Sequence, residues 1–132
     1  MNNRKILFVI VSLLGCIAVC LGAFGAHALK PYLNDYQKDI YNKAVFYQFV
    51  HVLGALIALL SAQIFSQKAF QLSAQFFIAG IFCFSGSLYI LSLNHILMCP
   101  IAIIGPITPI GGLLFIFGWI ILAYQFFKNL GQ

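Results

Sequence analysis

Charged side chains are scarce in this chain. Its 132 residues include seven Lys or Arg and two Asp or Glu, whereas 63% of the residues are hydrophobic. A soluble domain of this size cannot bury so much apolar surface, because small domains leave a large share of their surface in water. The shortage of charge therefore excludes a soluble globule and indicates a protein whose solvent is the lipid bilayer.

Carboxylates are absent from the long apolar stretches, since Asp35 and Asp39 are the only two and both lie between stretches. No carboxylate is thus available inside the membrane for general acid–base catalysis, and no nucleophile-elbow motif surrounds a serine. The metal-binding patterns C-x-x-C, H-x-x-x-H and E-x-x-H are also missing. We expect no enzymatic activity, no catalytic residues, no metal site and no cofactor.

The four cysteines do not suggest a disulfide framework. Cys16, Cys20 and Cys83 lie within apolar stretches, where thiols act as small apolar packing groups. Cys99 lies beside a connection and has no apparent partner there.

The net charge of +5 does not indicate nucleic-acid binding, because the basic residues mark the ends of the apolar stretches instead of clustering. Four of them, at positions 4, 5, 68 and 128, fall on one side of the membrane, and three, at 30, 38 and 43, on the other. The positive-inside rule therefore favours an orientation in which both termini are cytoplasmic.

Four apolar stretches make up most of the chain, at about residues 6–29, 44–65, 72–93 and 106–127. A helix of roughly 20 residues crosses a hydrocarbon core of about 30 Å, and each stretch is that long. Strands of a membrane barrel would instead alternate in hydrophobicity over about ten residues. The sequence predicts an all-α polytopic membrane protein, an antiparallel left-handed four-helix transmembrane bundle that forms one domain over residues 1–132.

Two connections have features of their own. Nothing between Asn34 and Ala44 breaks a helix, so the second helix is expected to begin before its apolar stretch. The connection at residues 95–105 is apolar yet broken by Pro100 and Gly105. Its backbone groups need partners, so we expect it to cap the bundle or lie between helices.

Small and polar residues mark helix contacts in lipid, because apolar side chains gain little by leaving the bilayer. The second stretch carries a stripe of them at spacings of three and four, and the other stretches have similar stripes with a period near 3.5, which favours left-handed packing. The stripe on the second stretch consists of Ala44, Gln48, His51, Ala55, Ala58 and Ala62. The predicted packing residues of all four stretches are Gly15, Ala18, Gly22, Ala26, Ala55, Ala58, Gly80, Ser87, Gly111 and Gly118.

His51 is the sharpest candidate for chemistry, because an ionisable side chain about 10 Å inside a span is a functional-site hypothesis. Gln48 lies one turn earlier, and His27 ends the first stretch on the same side of the membrane. These three residues form a candidate polar intramembrane or interfacial site. Its alternatives are a hydrogen-bonded joint between helices, a proton or ion path, and a metal or cofactor site.

Four separated motifs resemble one family. They are G-A-F-G-A-H-A-L at residues 22–29, Y-Q-x-x-H at 47–51, F-S-G-S-L-Y at 84–89, and I-T-P-I-G-G followed by G-W at 107–119. Together they resemble the small membrane proteins called domain of unknown function 423, whose eukaryotic relatives are called transmembrane protein 256. The resemblance implies a four-span protein of the bacterial cell membrane and no established activity. The A-x-A sequence at 26–28 is typical of a signal-peptide cleavage site, but the first motif extends across it. The resemblance therefore favours a first helix that is not cleaved.

We therefore expect a non-enzymatic multi-pass protein of the bacterial inner membrane that acts as a structural or interaction component. Its expected partners are the lipid bilayer and either another copy of itself or another membrane protein. One alternative is a small oligomeric channel or transporter with a polar path near His27, Gln48 and His51. The other is a haem- or quinone-binding redox subunit.

Overall fold

The chain folds into helices. A computed structural model describes residues 3–98 and 104–130, and these residues contain no strand. The elements are α1 (Asn3–His27), α2 (Asp35–Ile64), α3 (Ala69–Gly80), a π-helical turn (Ile81–Ser85), α4 (Gly86–Ser92), α5 (Asn94–Leu97) and α6 (Ile107–Asn129). The segment from α3 to α4 is one continuous span, Ala69–Ser92.

Four of these helices are long and apolar enough to cross a membrane, namely α1, α2, the span Ala69–Ser92 and α6. This confirms the predicted all-α fold with four membrane-spanning helices. The hand of the crossing between the helices stays a prediction.

The second helix begins at Asp35, nine residues before its apolar stretch, as the lack of a helix breaker predicted. Asn34 caps this end: its side chain accepts a hydrogen bond from the Gln37 backbone N–H, and the Gln37 side chain accepts one from the Asn34 N–H. This reciprocal capping satisfies two of the N–H groups that a helix start leaves without partners. About two and a half turns of α2 therefore precede the apolar stretch.

The helix α2 lies at the centre of the fold, because α1, the π-helical turn and the helices on both sides of that turn all pack against it. By contrast, α1 packs mainly on α2, and α6 packs mainly on α3 and the π-helical turn. The outer helices α1 and α6 thus flank a central pair formed by α2 and the span Ala69–Ser92.

Burial along α2 follows the stripe of small and polar residues. All six residues of that stripe are buried, whereas large side chains such as Phe46, Leu53 and Leu60 are exposed on the other side of the helix. The arrangement agrees with the rule that small residues allow close approach of helices in lipid.

The closest approach of α6 to the third span occurs at glycines. A Cβ atom on Gly111 would overlap with the backbone of Phe84, and one on Gly80 would overlap with the ring of Phe115. A Cβ on Gly118 would lie 2.7 Å from the ring of Phe77. These three contacts require a residue without a side chain.

The first helix packs more loosely. A Cβ on Gly15 or on Gly22 would lie 3.4 Å from a valine methyl group of α2, and Ala18 is fully buried. Ala26 is exposed, which corrects its predicted role in packing. The preceding Gly25 makes the close contact in this turn, because a Cβ there would overlap with the Tyr41 ring.

Serine hydroxyls add polar links between the third span and α6. Ser73 donates a 2.7 Å hydrogen bond to the carbonyl of Gly118, and the hydroxyls of Ser87 and Thr108 lie 2.7 Å apart. Both links lie beside glycine contacts, where the two backbones are close.

The connection before α6 is only partly described. Its helix α5 contains His95, whose Nδ1 accepts a 3.0 Å hydrogen bond from the Gln37 side chain. Cys99 and the rest of 99–103 lie outside the described residues, so the predicted position of this connection stays a prediction. Of the other cysteines, Cys16 and Cys20 are exposed and free, and Cys83 is half-buried and free.

Two adjacent glycines of α6 provide a matched test of this packing. We expect Gly111→Ala to lower the free energy of unfolding by about 1–3 kcal/mol, because its methyl group would overlap with the Phe84 backbone. In Gly112→Ala the new methyl would lie 3.8 Å from the Phe84 ring, an ordinary contact, so the change should stay within about 0.5 kcal/mol. Thermal unfolding in detergent measures both, and equal midpoints would contradict the packing described.

Candidate functional site

Gln48 and His51 lie one turn apart on α2, at the middle of the buried stripe. Their exposed fractions are 2% and 4%, so neither side chain can reach water or lipid headgroups. A buried polar group in a membrane has to find its hydrogen-bond partners within the protein.

Gln48 joins α2 to both α1 and α4. Its Nε2 donates a 2.8 Å hydrogen bond to the carbonyl of Leu14, and its Oε1 accepts a 2.9 Å hydrogen bond from the hydroxyl of Tyr89. The amide nitrogen of Gln48 therefore bonds to α1, and its amide oxygen bonds to α4.

His51 joins α2 to α6. The indole Nε1 of Trp119 lies 3.2 Å from Nε2 of His51, and the imidazole Nδ1 lies 2.7 Å from the carbonyl of Tyr47. An indole N–H can only donate and a carbonyl can only accept, so Nε2 is the acceptor and Nδ1 carries the proton. Both bonds are satisfied by one neutral tautomer. In an imidazolium ion Nε2 would also carry a proton, and this N–H would point at the N–H of Trp119 instead of accepting from it.

Aromatic rings enclose the His51 imidazole. The Phe115 ring stacks on it with a centroid distance of 3.4 Å and an interplanar angle of 6°, and the Tyr47 ring is parallel to it within 11°. Phe77 and Trp119 approach at steeper angles, with centroids 5.6 and 6.1 Å away. These neighbours carry no charge that would stabilise an imidazolium ion.

A second set of contacts extends from Tyr89 toward the end of α1. The rings of Tyr41 and Tyr89 meet edge to face with centroids 5.2 Å apart, and the Tyr41 hydroxyl donates a 2.8 Å hydrogen bond to the carbonyl of Leu21. The Tyr41 ring fits against α1 because Gly25 has no Cβ atom that would overlap with it. All four motif segments of the sequence therefore meet around Gln48, His51 and Tyr89.

His27 does not join this cluster. It is exposed at the end of α1, and in the described part of the chain no hydrogen bond or ring contact links it to Gln48 or His51. The structure therefore brings Gln48 and His51 together without His27, and the imidazole of His51 is directed toward α6.

A cavity of about 450 Å³ lies beside His51, between α2, the π-helical turn and α6. Its walls are mostly apolar and include the rings of Tyr47, Phe84, Phe115 and Trp119. A smaller cavity of about 290 Å³, lined in part by Lys30, Lys38 and Asn42, lies where α1 ends and α2 begins.

Metal ligands are not brought together in the described ranges, 3–98 and 104–130: no group of three or more His, Cys, Asp or Glu residues there could hold an ion. The donor set at the centre of the bundle is instead amide, imidazole, phenol and indole, which suits neutral hydrogen bonds.

The partners Tyr89 and Trp119 were not predicted as site residues, although both lie in the sequence motifs. Each has a polar atom on a large apolar ring, and such residues usually find a hydrogen-bond partner when they are buried. Trp119 is also the only tryptophan of the chain. The polar atom on a large ring and the single occurrence of tryptophan could have identified Tyr89 and Trp119 from the sequence.

Comparisons with known proteins agree on one family. The family described as "Protein of unknown function (DUF423)" matches residues 21–112. A UPF0382 membrane protein of Staphylococcus haemolyticus is 41% identical over 127 residues, which are 96% of this chain and 99% of that protein. The UPF0382 membrane protein YwdK of Bacillus subtilis is 35% identical with the same coverage, and one from Haemophilus influenzae is 40% identical over 98% of both chains. No solved structure matches the chain.

The Gln48–Tyr89 bond predicts a measurable coupling between α2 and α4. We expect Gln48→Leu to cost about 1–2 kcal/mol of unfolding free energy, and Tyr89→Phe about 0.5–1.5 kcal/mol. The double variant should cost at least about 0.5 kcal/mol less than the sum, because both changes remove the same bond.

Unfolding in detergent of the wild type, the two single variants and the double variant measures this coupling. Tyr124→Phe is the matched control, since Tyr124 is exposed on α6 and its loss of a hydroxyl should have no effect. Strict additivity of Gln48→Leu and Tyr89→Phe would contradict the bond.

Proposed function

This chain belongs to the DUF423 family of membrane proteins, and we propose that it is a non-enzymatic component of the bacterial inner membrane. It acts through contacts with lipid, with another copy of itself or with another membrane protein. Gln48 and His51 hold the bundle together and take no part in chemistry.

The observation that supports this proposal most directly is the hydrogen bonding of the His51 ring. Both of its ring nitrogens are engaged, one with the Trp119 N–H and one with the Tyr47 carbonyl. A general base, a proton relay or a metal or haem ligand needs a nitrogen that is free to receive a proton or an ion. His51 would have to break one of these bonds to serve in any of those roles.

The carboxylates support the same proposal. Asp35 and Asp39 are the only two in the chain, both lie in the first turns of α2, and they pair with Lys38 and Lys43 at 3.3 and 2.7 Å. They are far along the helix from His51, about 18 Å or more. Acid–base catalysis by a carboxylate and this histidine together is therefore not supported.

The outer surfaces of α1 and α6 suit contact with lipid or with another membrane protein. Large apolar side chains on both helices are exposed, among them Val19 and Phe24 on α1 and Ile116 and Ile120 on α6. Each helix packs on essentially one side only, which leaves its other side available.

A channel or transporter receives less support. A polar path near His27, Gln48 and His51 would need these side chains to face a common passage. Instead Gln48 is bonded to α1 and α4, His51 is bonded to α6, and His27 is exposed elsewhere.

Proton flux in liposomes tests the role of His51. We expect wild-type protein to give no flux of protons or monovalent cations above that of protein-free vesicles between about pH 5 and 8, the range of histidine titration. His51→Asn should give the same result and lose about 1 kcal/mol of stability, because the bond to Trp119 is weakened.

The unfolding midpoint of His51→Asn in detergent is the necessary control, because it shows whether this variant is folded. Wild-type flux that disappears in this folded variant would overturn the proposal in favour of transport.

The orientation of the chain can be measured separately. We propose that both termini are cytoplasmic, because four basic residues flank the spans on that side and three on the other. In a variant whose four native cysteines are replaced, Lys38→Cys should react with an impermeant thiol reagent outside intact cells, and Lys68→Cys only after lysis. The reverse labelling would invert the proposed orientation.

A further inference from the structure

The cavity of about 290 Å³ between the end of α1 and the start of α2 lies at the level of the lipid headgroups. Ala26 lines it from the end of the first apolar stretch, whereas Lys38 and Asn42 line it from the polar turns of α2 before the second stretch. Apolar spans end where the headgroup region begins. Tyr32 and Tyr36 in the same part of the chain are exposed, as is usual for tyrosines at a membrane surface.

Three of the lining residues share one face of α2. Lys38, Tyr41 and Asn42 are three or four residues apart, so their side chains are neighbours on the helix surface. Tyr41 fixes the direction of this face, because it is buried and its hydroxyl donates a 2.8 Å hydrogen bond to the carbonyl of Leu21 on α1. Lys38 and Asn42 therefore lie beside a ring that is held against α1.

Lys30 lines the cavity from a connection that is held in place. Its neighbours Leu29 and Leu33 are buried. The backbone N–H of Tyr32 donates a 2.9 Å hydrogen bond to the Leu29 carbonyl, which closes the turn that contains Lys30. The backbone position of this lysine is thus fixed relative to α2, while its long side chain can direct the ammonium group toward a ligand.

The charged residues that line the cavity are both lysines. Asp35 lies 3.3 Å from Lys38, and Asp39 lies 2.7 Å from Lys43, but neither carboxylate lines the cavity. Within residues 3–98 and 104–130, Lys30 has no carboxylate partner. The ion pair of Lys38 is exposed and therefore weak, so this lysine remains able to bind another anion.

Two lysines and an amide at headgroup depth suit a phosphate that belongs to a lipid. A lysine binds phosphate as a point charge, and the Asn42 amide can donate a hydrogen bond to it. Anionic lipids attract basic residues at the membrane surface. A zwitterionic headgroup also brings an ammonium group, which Lys30 and Lys38 would repel.

We propose that this cavity binds the headgroup of an anionic phospholipid. The phosphate lies between the ammonium groups of Lys30 and Lys38 and accepts a hydrogen bond from Asn42, and the acyl chains extend into the bilayer. The proposal rests on the proposed function, in which contact with lipid is one of the modes of action, and it names the class of lipid.

Thermal unfolding detects this binding, because a ligand that binds only the folded protein raises the unfolding midpoint. Full-length protein in a neutral detergent is titrated with phosphatidylglycerol or with phosphatidylethanolamine that carries the same acyl chains. We expect phosphatidylglycerol to reach its half-maximal effect at a mole fraction at least about fivefold lower, the factor that one lysine near an anionic lipid contributes. Inorganic phosphate, compared with chloride at equal ionic strength, should not raise the midpoint.

Three lysine variants distinguish the cavity from general surface charge. Lys30→Gln and Lys38→Gln should each weaken the binding of phosphatidylglycerol about fivefold. Lys43→Gln is the matched control, because it removes the same charge at the same end of α2 from a residue that does not line the cavity. Its effect should stay below about twofold.

Two alanine variants test the cavity without a change in charge. Ala26→Leu places a larger side chain in the cavity and should weaken the binding of phosphatidylglycerol at least about fivefold. Ala23→Leu adds the same bulk at an exposed position of α1 outside the cavity and should leave the binding unchanged.

An equal loss of binding in Lys43→Gln and in the two cavity lysine variants would overturn the proposal, as would equal binding of the two lipids. A rise of the midpoint with inorganic phosphate as large as that with phosphatidylglycerol would assign the cavity to an aqueous anion and would also overturn it. If Ala26→Leu fails to fold, the lysine variants decide alone, since Lys30 is exposed. These outcomes are distinct from failure of the proposed function, which wild-type ion flux would reveal.

Discussion

The fold depends on the need of buried polar groups in a membrane for partners within the protein. Gln48 and His51 lie one turn apart on α2, and together they bond to α1, to α4 and to α6. Water cannot replace any of these bonds inside a bilayer. Two side chains on one turn thereby bond α2 to three other helices, whose close packing also depends on small residues.

Small residues make these bonds possible. The alanines above and below Gln48 and His51 bring the neighbouring helices close to α2, and the glycine contacts at Gly80, Gly111 and Gly118 bring α6 against the third span. A polar side chain reaches only a few ångströms, so its partner has to be held at that distance by the packing. Packing and hydrogen bonding therefore support each other at this level of the bundle.

The sequence was most informative about single helices. Length and hydropathy predicted four spans, and the spacing of small residues on α2 predicted which side of that helix is buried. Periodicity assigns a face to each helix, but it carries no information on which other helix meets that face. The partners Tyr89 and Trp119 lie 41 and 68 residues from theirs, and they could be found only from the fold. The π-helical turn Ile81–Ser85 lies between Gly80 and Gly86, and the periodicity of the third stretch did not predict it.

The indole of Trp119 belongs to α6, which follows the other three spans along the chain, and this has a consequence for biogenesis. Once α1 and α2 have entered the membrane, Gln48 can already bond to Leu14, but the acceptor nitrogen of His51 has no donor until α6 arrives. The half-made protein thus carries an unsatisfied group in lipid. Trp119 supplies the missing donor, so the bond that joins α2 to α6 forms only after the three preceding spans have been made.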